Sequence, residues 1–316
     1  MEPYDLSKFS GVTVAMNACY DEKGEINPSV IRKLARHYLD VGITGLYIGG
    51  STGEGLLQSA EERKLVLETV LNEIRGKMTV IAHIGAPSTR ESVELAIHAE
   101  AAGADALSAV PSIYYRISEE GVGEHWERII KSSSLPFIMY YIPQTTGFQV
   151  SPALLQRMLR NRQVIGMKIT TESTYELQRF KVLGGERFLV FNGPDEQYLA
   201  GRLMGADGGI GGTYGVMPEL YLRLEHCIAT GMLGDARQWQ YKINEIIGEL
   251  LQLPLYAACK EILGHQGFLC GQPRSPLERL TEEGRGQAFA IHEKIGRYTA
   301  EAKQETEMKT ITPDPC

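Results

Sequence analysis

Cysteine is scarce in this 316-residue chain: five residues, at 19, 227, 259, 270 and 316, an odd number with no C-x-x-C pair. That excludes a zinc ribbon and a disulfide framework, and leaves reduced, mostly packed thiols as the expectation. Metal-ligand spacings are missing too. The seven histidines, at 37, 83, 98, 125, 226, 265 and 292, form neither H-x-H nor H-E-x-x-H, so nothing in the chain points to a metal. Cations are not in excess: 32 Lys and Arg stand against 39 Asp and Glu, a formal net charge of -7. With no broad cationic face for a phosphate backbone, nucleic acid is not an expected partner. Long apolar runs are also absent. Stretches such as 137–142 fall far short of the roughly 20 residues that a membrane span needs. The polar opening 1–10 carries no secretory hydrophobic region, so no membrane is expected and the cytoplasm is the default address.

What is present, 43% hydrophobic and 22% charged residues, is the balance of a globular chain long enough to bury a core without staples. Eight short β-type runs are expected, at 12–16, 45–48, 79–83, 106–110, 137–141, 165–169, 188–192 and 208–211. Their starts lie 20 to 34 residues apart, room for a helix and two loops each time, as parallel crossovers require. The runs are nearly all apolar, the pattern of strands covered on both faces. Helix starts are marked between them: Asn27-Pro28 offers a cap followed by proline, and Ser59 to Glu62 and Ser88 to Glu91 have capping-box spacing. Eight strand–helix units in succession predict a (β/α)8 barrel, an α/β fold, where an open doubly wound sheet would use fewer.

Beyond Met217 the strand signal stops, and helices are expected at 218–231, 233–253, 255–263 and 275–300. The first completes the barrel, and the others form an extension. The expected division is therefore 1–231 barrel, 232–303 helical extension and 304–316 a frayed, polar tail.

Active sites of such barrels lie at the carboxyl ends of the strands, and several of these ends are unusual. The sixth carries Lys168 inside the apolar run Val164-Ile-Gly-Met-Lys-Ile169. A strand-end lysine can snorkel to solvent; an inward one loses solvation, and burial favours the uncharged amine, the nucleophile that forms a Schiff base with a ketone. On spacing alone the two readings stand level. The second strand runs into Gly49-Gly50-Ser51-Thr52-Gly53-Glu54, where glycines can turn successive amides toward a ligand and two hydroxyls add donors. Lacking the P-loop pattern, this loop suits a carboxylate or single phosphate better than a nucleotide, against the equally common reading of a glycine-rich turn. The fifth strand ends Tyr140-Tyr141, of which one must face the lumen because side chains alternate. After the seventh come Gly193-Pro194-Asp195-Glu196, carboxylates that either favour a helix dipole or accept hydrogen bonds from a polyol. The eighth, from Gly208 to Tyr214, has almost no side chains and leaves the lumen open.

Taken together these pieces resemble the N-acetylneuraminate lyase and dihydrodipicolinate synthase superfamily of Schiff-base, pyruvate-dependent aldolases, over roughly residues 10–263. The resemblance implies a barrel with a three-helix C-terminal extension and a homotetramer. It implies Lys168 as the imine-forming lysine, Tyr140 as the proton-shuttling phenol, and Ser51 and Thr52, with the Gly53 amide, as holders of the pyruvate carboxylate. Tyr115 is similar to the tyrosine that the family inserts into a neighbouring subunit's site. Thr170, Gly193, Asp195, Glu196, Ile210 and Gly212 would line the sugar end.

The lyase branch fits better than the synthase branch: Ser51 stands where the synthase has threonine, and Gln144-Thr145-Thr146 where it has a carboxylate-gripping arginine. The chain departs from the family at Gly212, usually serine, at Asn17-Ala18-Cys19, commonly ending in Thr-Pro, and at Tyr141, often asparagine. Each lost hydrogen bond is worth about 1 kcal/mol, enough to shift preference among sugar acids. The expected activity is reversible cleavage of a 2-keto sugar acid, N-acetylneuraminate first, to pyruvate and N-acetylmannosamine, with neither metal nor organic cofactor. The alternatives are a synthase-like or 2-keto-3-deoxy sugar acid aldolase, a non-catalytic keto-acid-binding barrel, and a metal-dependent aldolase.

Overall fold

Short, mostly apolar strands covered on both faces leave no unpaired edge when their sheet closes on itself, as it does here. The computed structural model describes residues 4–311, in which β1 (Gly11–Ala15), β2 (Gly45–Ile48), β3 (Thr79–His83), β4 (Ala106–Ala109), β5 (Phe137–Tyr141), β6 (Val164–Ile169), β7 (Leu189–Asn192) and β8 (Gly208–Gly211) form one closed parallel barrel in chain order. Each strand agrees with its expected run to within a residue or so. Helices α1 (Pro28–Val41), α2 (Ala60–Ile74), α3 (Thr89–Ala102), α4 (Glu119–Lys131), α5 (Pro143–Thr146), α6 (Pro152–Met158), α7 (Thr174–Gly184), α8 (Tyr198–Leu203) and α9 (Pro218–Ala229) fill the crossovers. The side chains of Asn27, Ser59 and Ser88 accept from the Val30, Glu62 and Glu91 amides; Ser59 N donates back to Glu62, completing the capping box there, whereas at Ser88 only the first half of the box forms among the described residues.

The core divides in two, as a covered barrel requires. Val14, Leu46, Val80, Leu107, Met139, Met167 and Val190 pack outward against the helices. Ala15, Tyr47, Ile81, Ala106, Ile138, Tyr140, Ile165, Phe191 and Ile210 fill the lumen, with Phe9 closing its lower end.

Strand β6 breaks the alternation. Ile165 faces the lumen and Met167 the helices, and Lys168 again faces inward, a spacing of three that an unbroken strand cannot provide. The cause is a register shift: Phe137 pairs with Val164 but Ile138 with Gly166, so β6 carries one extra residue opposite β5, the arrangement of a bulge. Gly166 makes it possible, since a Cβ there would lie 2.4 Å from the Leu189 carbonyl oxygen. From the bulge onward Tyr140 pairs with Lys168.

The extension consists of α10 (Leu233–Leu250), α11 (Leu255–His265) and α12 (Glu282–Ile311). Two expectations are corrected here. The helix placed at 275–300 begins only at Glu282, because the preceding segment spends its backbone on the barrel: Cys270 O accepts from Tyr20 N and Arg274 N donates to Glu54. The Thr281 side chain then caps Gly284 N. Helix α12 also continues through 304–311, the start of the expected tail, because Glu305 accepts from buried Arg223 at 2.8 Å and from Trp239 at 3.2 Å; tertiary anchoring overrides the polar composition. Residues 312–316 of that tail lie outside the described residues. Among the described residues no helix is long and apolar enough to cross a membrane.

If the bulge at Gly166 aims Lys168, Gly166→Ala must either move β7 or straighten β6. We expect a loss of about 1–3 kcal/mol in urea-melt stability, together with loss of Lys168 reactivity toward keto acids in the protein that remains folded; a variant of unchanged stability and reactivity would contradict this.

Candidate active site

The inward turn of β6 brings Lys168 to the carboxyl end of the barrel, where it is only 6% exposed. Its Nζ lies 4.3 Å from the ring centre of Tyr140 and 4.9 Å from that of Tyr47. Among the described residues neither this nitrogen nor the Tyr140 hydroxyl has a hydrogen bond, and no carboxylate pairs with the amine; both residues line a cleft of about 370 Å³. An amine beside π faces, without an acid to hold it, remains available to a ligand. Tyr141, the alternate residue, points outward and donates to Glu176 at 2.9 Å.

The aromatic wall is itself fixed. Tyr47 donates to Ser108 Oγ at 2.9 Å, and the rings of Tyr47 and His83 stand edge-on to Tyr140, at 85° in each case. His83 is buried, and that burial, helped by the charge of Arg63, pulls it down to about 3. The imidazole is therefore neutral at physiological pH, with Nδ1–H donating to Gly49 O at 3.0 Å and Nε2 accepting from Val110 N at 3.3 Å.

The loop after β2 has a marked polarity. Its carbonyls are all occupied from behind: Gly49 by His83, Gly50 by Gly55 N, Ser51 by Glu54 N, Thr52 by Ala18 N and Gly53 by Gln58 Nε2. None of the amides of Gly50, Ser51, Thr52 and Gly53 donates a hydrogen bond among the described residues. Four free donors on one short loop make an anion cradle. Of these four residues only Thr52 lines the cleft; Ser51 is exposed, and Gly50 and Gly53 are buried.

Across the cleft, the loop after β7 presents Gly193, Asp195 and Glu196. Asp195 accepts from Thr213 N at 2.7 Å and Thr213 Oγ1 at 2.6 Å. Burial nevertheless raises its carboxyl to about 6, outweighing these hydrogen bonds and the nearby Lys168 charge. Glu196 is exposed, and its carbonyl accepts from Asn244 of α10. Thr170 lies on the wall, but its hydroxyl is packed against Gly193, where a Cβ would come within 2.1 Å, and has no partner among the described residues. Ile210 forms part of the floor. Gly212 faces Thr52: a Cβ there would stand 2.6 Å from Thr52 Oγ1, so any side chain at this position would crowd the threonine hydroxyl.

The structure thus gathers Thr52, Tyr140, Lys168, Thr170, Gly193, Asp195, Glu196, Ile210 and Gly212 around one cleft. Ser51, Gly53 and Tyr115 are not among them; Tyr115 stands 73% exposed beside the 91% exposed Tyr114, whose φ is +77°. Sequence reasoning missed Tyr47 and His83, although alternation along β2 and β3 could have found them. It also missed Asn17 and the closing side chains Ile247, Leu251, Tyr256 and Cys259 from the extension, for which no local signal exists. The carboxamide of Asn17 is buried, with no partner among the described residues. Among the described residues no three His, Cys, Asp or Glu side chains cluster as metal ligands.

Residues 8–295 match the Dihydrodipicolinate synthetase family. The N-acetylneuraminate lyase of Mediterraneibacter gnavus is 42% identical over 283 residues, 88% of this chain and 90% of that protein. The catalytic lysine mutant of the sialic acid aldolase from Ruminococcus gnavus superposes with a TM-score of 0.92 at 40% identity, covering 95% of this chain and 99% of that one. The N-acetylneuraminate lyase of Fusobacterium nucleatum complexed with pyruvate superposes with a TM-score of 0.87 at 30% identity, covering 92% and 98%.

The raised carboxyl of Asp195 gives a stability signature. A folded-state value of about 6 against 3.8 for the ordinary group means that its protonated form favours the fold below about pH 4, an advantage lost as pH rises through about 6. Asp195→Asn should therefore gain in Tm relative to the native protein between about pH 4 and 7. A difference that is flat or shrinks over that interval would contradict the burial argument.

Proposed function

The chain belongs to the Dihydrodipicolinate synthetase family, and we propose that it is a Schiff-base aldolase that cleaves N-acetylneuraminate reversibly to pyruvate and N-acetylmannosamine. The observation that carries this reading is the buried, unpaired amine of Lys168 beside the ring of Tyr140 at the mouth of the barrel. The relatives' names supply the substrate, and the pyruvate held by the Fusobacterium lyase supports the keto-acid half.

In this mechanism the free amine of Lys168 adds to the C2 ketone, and loss of water leaves a protonated imine. Tyr140 takes the proton of the C4 hydroxyl as the C3–C4 bond breaks. The bonding pair moves into the imine to give an enamine, and the aldehyde departs. Protonation of the enamine at C3 and hydrolysis return pyruvate and the lysine. The amides of residues 50–53 with the Thr52 hydroxyl hold the carboxylate, with donors fixed in advance as an anion requires. Asp195 and Glu196 accept from the polyol, and Gly193, Thr170, Ile210 and Gly212 shape its path.

Two further parts of the proposal concern the setting. The exposed Tyr114–Tyr115 pair suits burial by another copy of the chain, and we assign a homotetramer in which Tyr115 reaches a neighbouring site. The free thiols of Cys19 and Cys270, with sulfurs 3.5 Å apart, suit a reducing cytoplasm.

Borohydride added with pyruvate should leave a reduced adduct on Lys168, seen as a modified peptide by mass spectrometry; an unmodified Lys168 under those conditions would refute the imine. Tyr140→Phe should keep the adduct while slowing cleavage by about 10²–10⁴-fold. Full cleavage by that variant would remove Tyr140 from the mechanism. A panel with coupled pyruvate detection should show N-acetylneuraminate preferred over 2-keto-3-deoxygluconate, with no condensation of pyruvate and aspartate semialdehyde. The reverse ranking would move the chain to another branch of the family.

A further inference from the structure

The anion cradle ends on a buried negative charge. Glu54 directly follows Gly53 and holds a φ of +51°, a left-handed conformation that a side-chain-bearing residue adopts only when its surroundings impose it. Its side chain is wholly covered (0%), and its carboxylate meets Nζ of Lys260 on α11 at 2.5 Å, with the lysine side chain 2% exposed. The other carboxylate oxygen accepts from Arg274 N at 2.8 Å. Lys260 lies outside the catalytic cleft. It lines a separate groove of about 820 Å³ with Tyr20 and Arg274, its Nζ 4.3 Å from the Tyr20 ring centre.

A buried ion pair adds little net stability, but removing one member leaves an uncompensated charge. Here that charge would matter for a ligand. The amides of residues 50–53 offer partial positive charge to an incoming anion, and a bare Glu54 carboxylate at the end of the same loop would oppose it through a medium that screens poorly. We propose that Lys260, by neutralising Glu54, sets the affinity of the cradle for the carboxylate of the 2-keto acid, so that the C-terminal extension tunes substrate capture from behind the loop. This rests on the reading of the cradle as the keto-acid carboxylate site. Lys260 is a positioning residue, since it touches Glu54 and not the ligand.

An electrostatic role and a scaffolding role differ in sign. The test measures the pyruvate concentration that half-saturates borohydride trapping of Lys168 in the native protein, K260M, E54Q and the double variant E54Q/K260M, each checked for folding by circular dichroism. K260M should raise the half-saturating concentration by about tenfold or more while trapping at saturation stays within about threefold. E54Q leaves Lys260 unopposed and should lower it, and the double variant should return to within about threefold of the native value. Unchanged half-saturation in K260M, or a rise in both single variants that persists in the double, would overturn the inference. Should K260M not fold, the sign in E54Q decides: a fall supports the proposal, and no fall or a rise overturns it. A native protein that pyruvate does not trap would instead refute the Schiff-base reading, so the two failures are told apart.

Discussion

A closed barrel leaves each strand residue only two destinations, the lumen or the helical layer, and the position of Lys168 depends on that constraint being broken once. Without the extra residue opposite β5, the parity that puts Ile165 in the lumen would send Lys168 into the apolar layer beneath the helices. An ammonium there would have neither water nor partner. The bulge turns it to the mouth instead, in register with Tyr140. The close contact between Gly166 and the Leu189 backbone shows how little room the turn has. Everything that the cleft can do with a ketone follows from this local irregularity.

Around the amine, the mouth is sorted by polarity. The β2 loop commits its carbonyls to His83, Ala18, Gln58 and its own amides, leaving its N–H groups for an anion. The β7 loop does the opposite and offers carboxylates. The extension fastens both. Gln240 and Asn244 of α10 bond to the backbone of Asp195, Leu199 and Glu196, while Lys260 and Arg274 hold Glu54. A ligand with a carboxylate at one end and hydroxyls at the other is matched by two loops whose separation is set outside the barrel.

The barrel was legible because its signals are local: apolar runs of strand length, capping residues at Asn27, Ser59 and Ser88, and regular spacing. Polar groups at strand ends stand out against apolar runs, which marked Lys168, Thr52, Asp195 and the Tyr140-Tyr141 pair as candidates; the resemblance, not the spacing, chose among their readings. What escaped was whatever depends on distant segments. Tyr47 and His83 look like core residues until Tyr140 is placed against them. Tyr256 and Cys259 belong to a helix that meets the cleft only after the chain has wound around the barrel. The late start of α12 reflects Arg274 and Cys270 bonding to loops more than 200 residues earlier. Thr170, read from the sequence as a polyol contact, has its hydroxyl packed against Gly193, because the residues that follow β6 and β7 meet there, a contact that spacing does not reveal.

A crystal structure of the protein grown with pyruvate tests the imine most directly. It should show continuous density from Lys168 Nζ to C2 of the keto acid, the carboxylate on the amides of residues 50–53, and the Tyr140 hydroxyl turned to the new bond. Pyruvate lying unlinked in the cleft, or its carboxylate bound away from that loop, would contradict this reading.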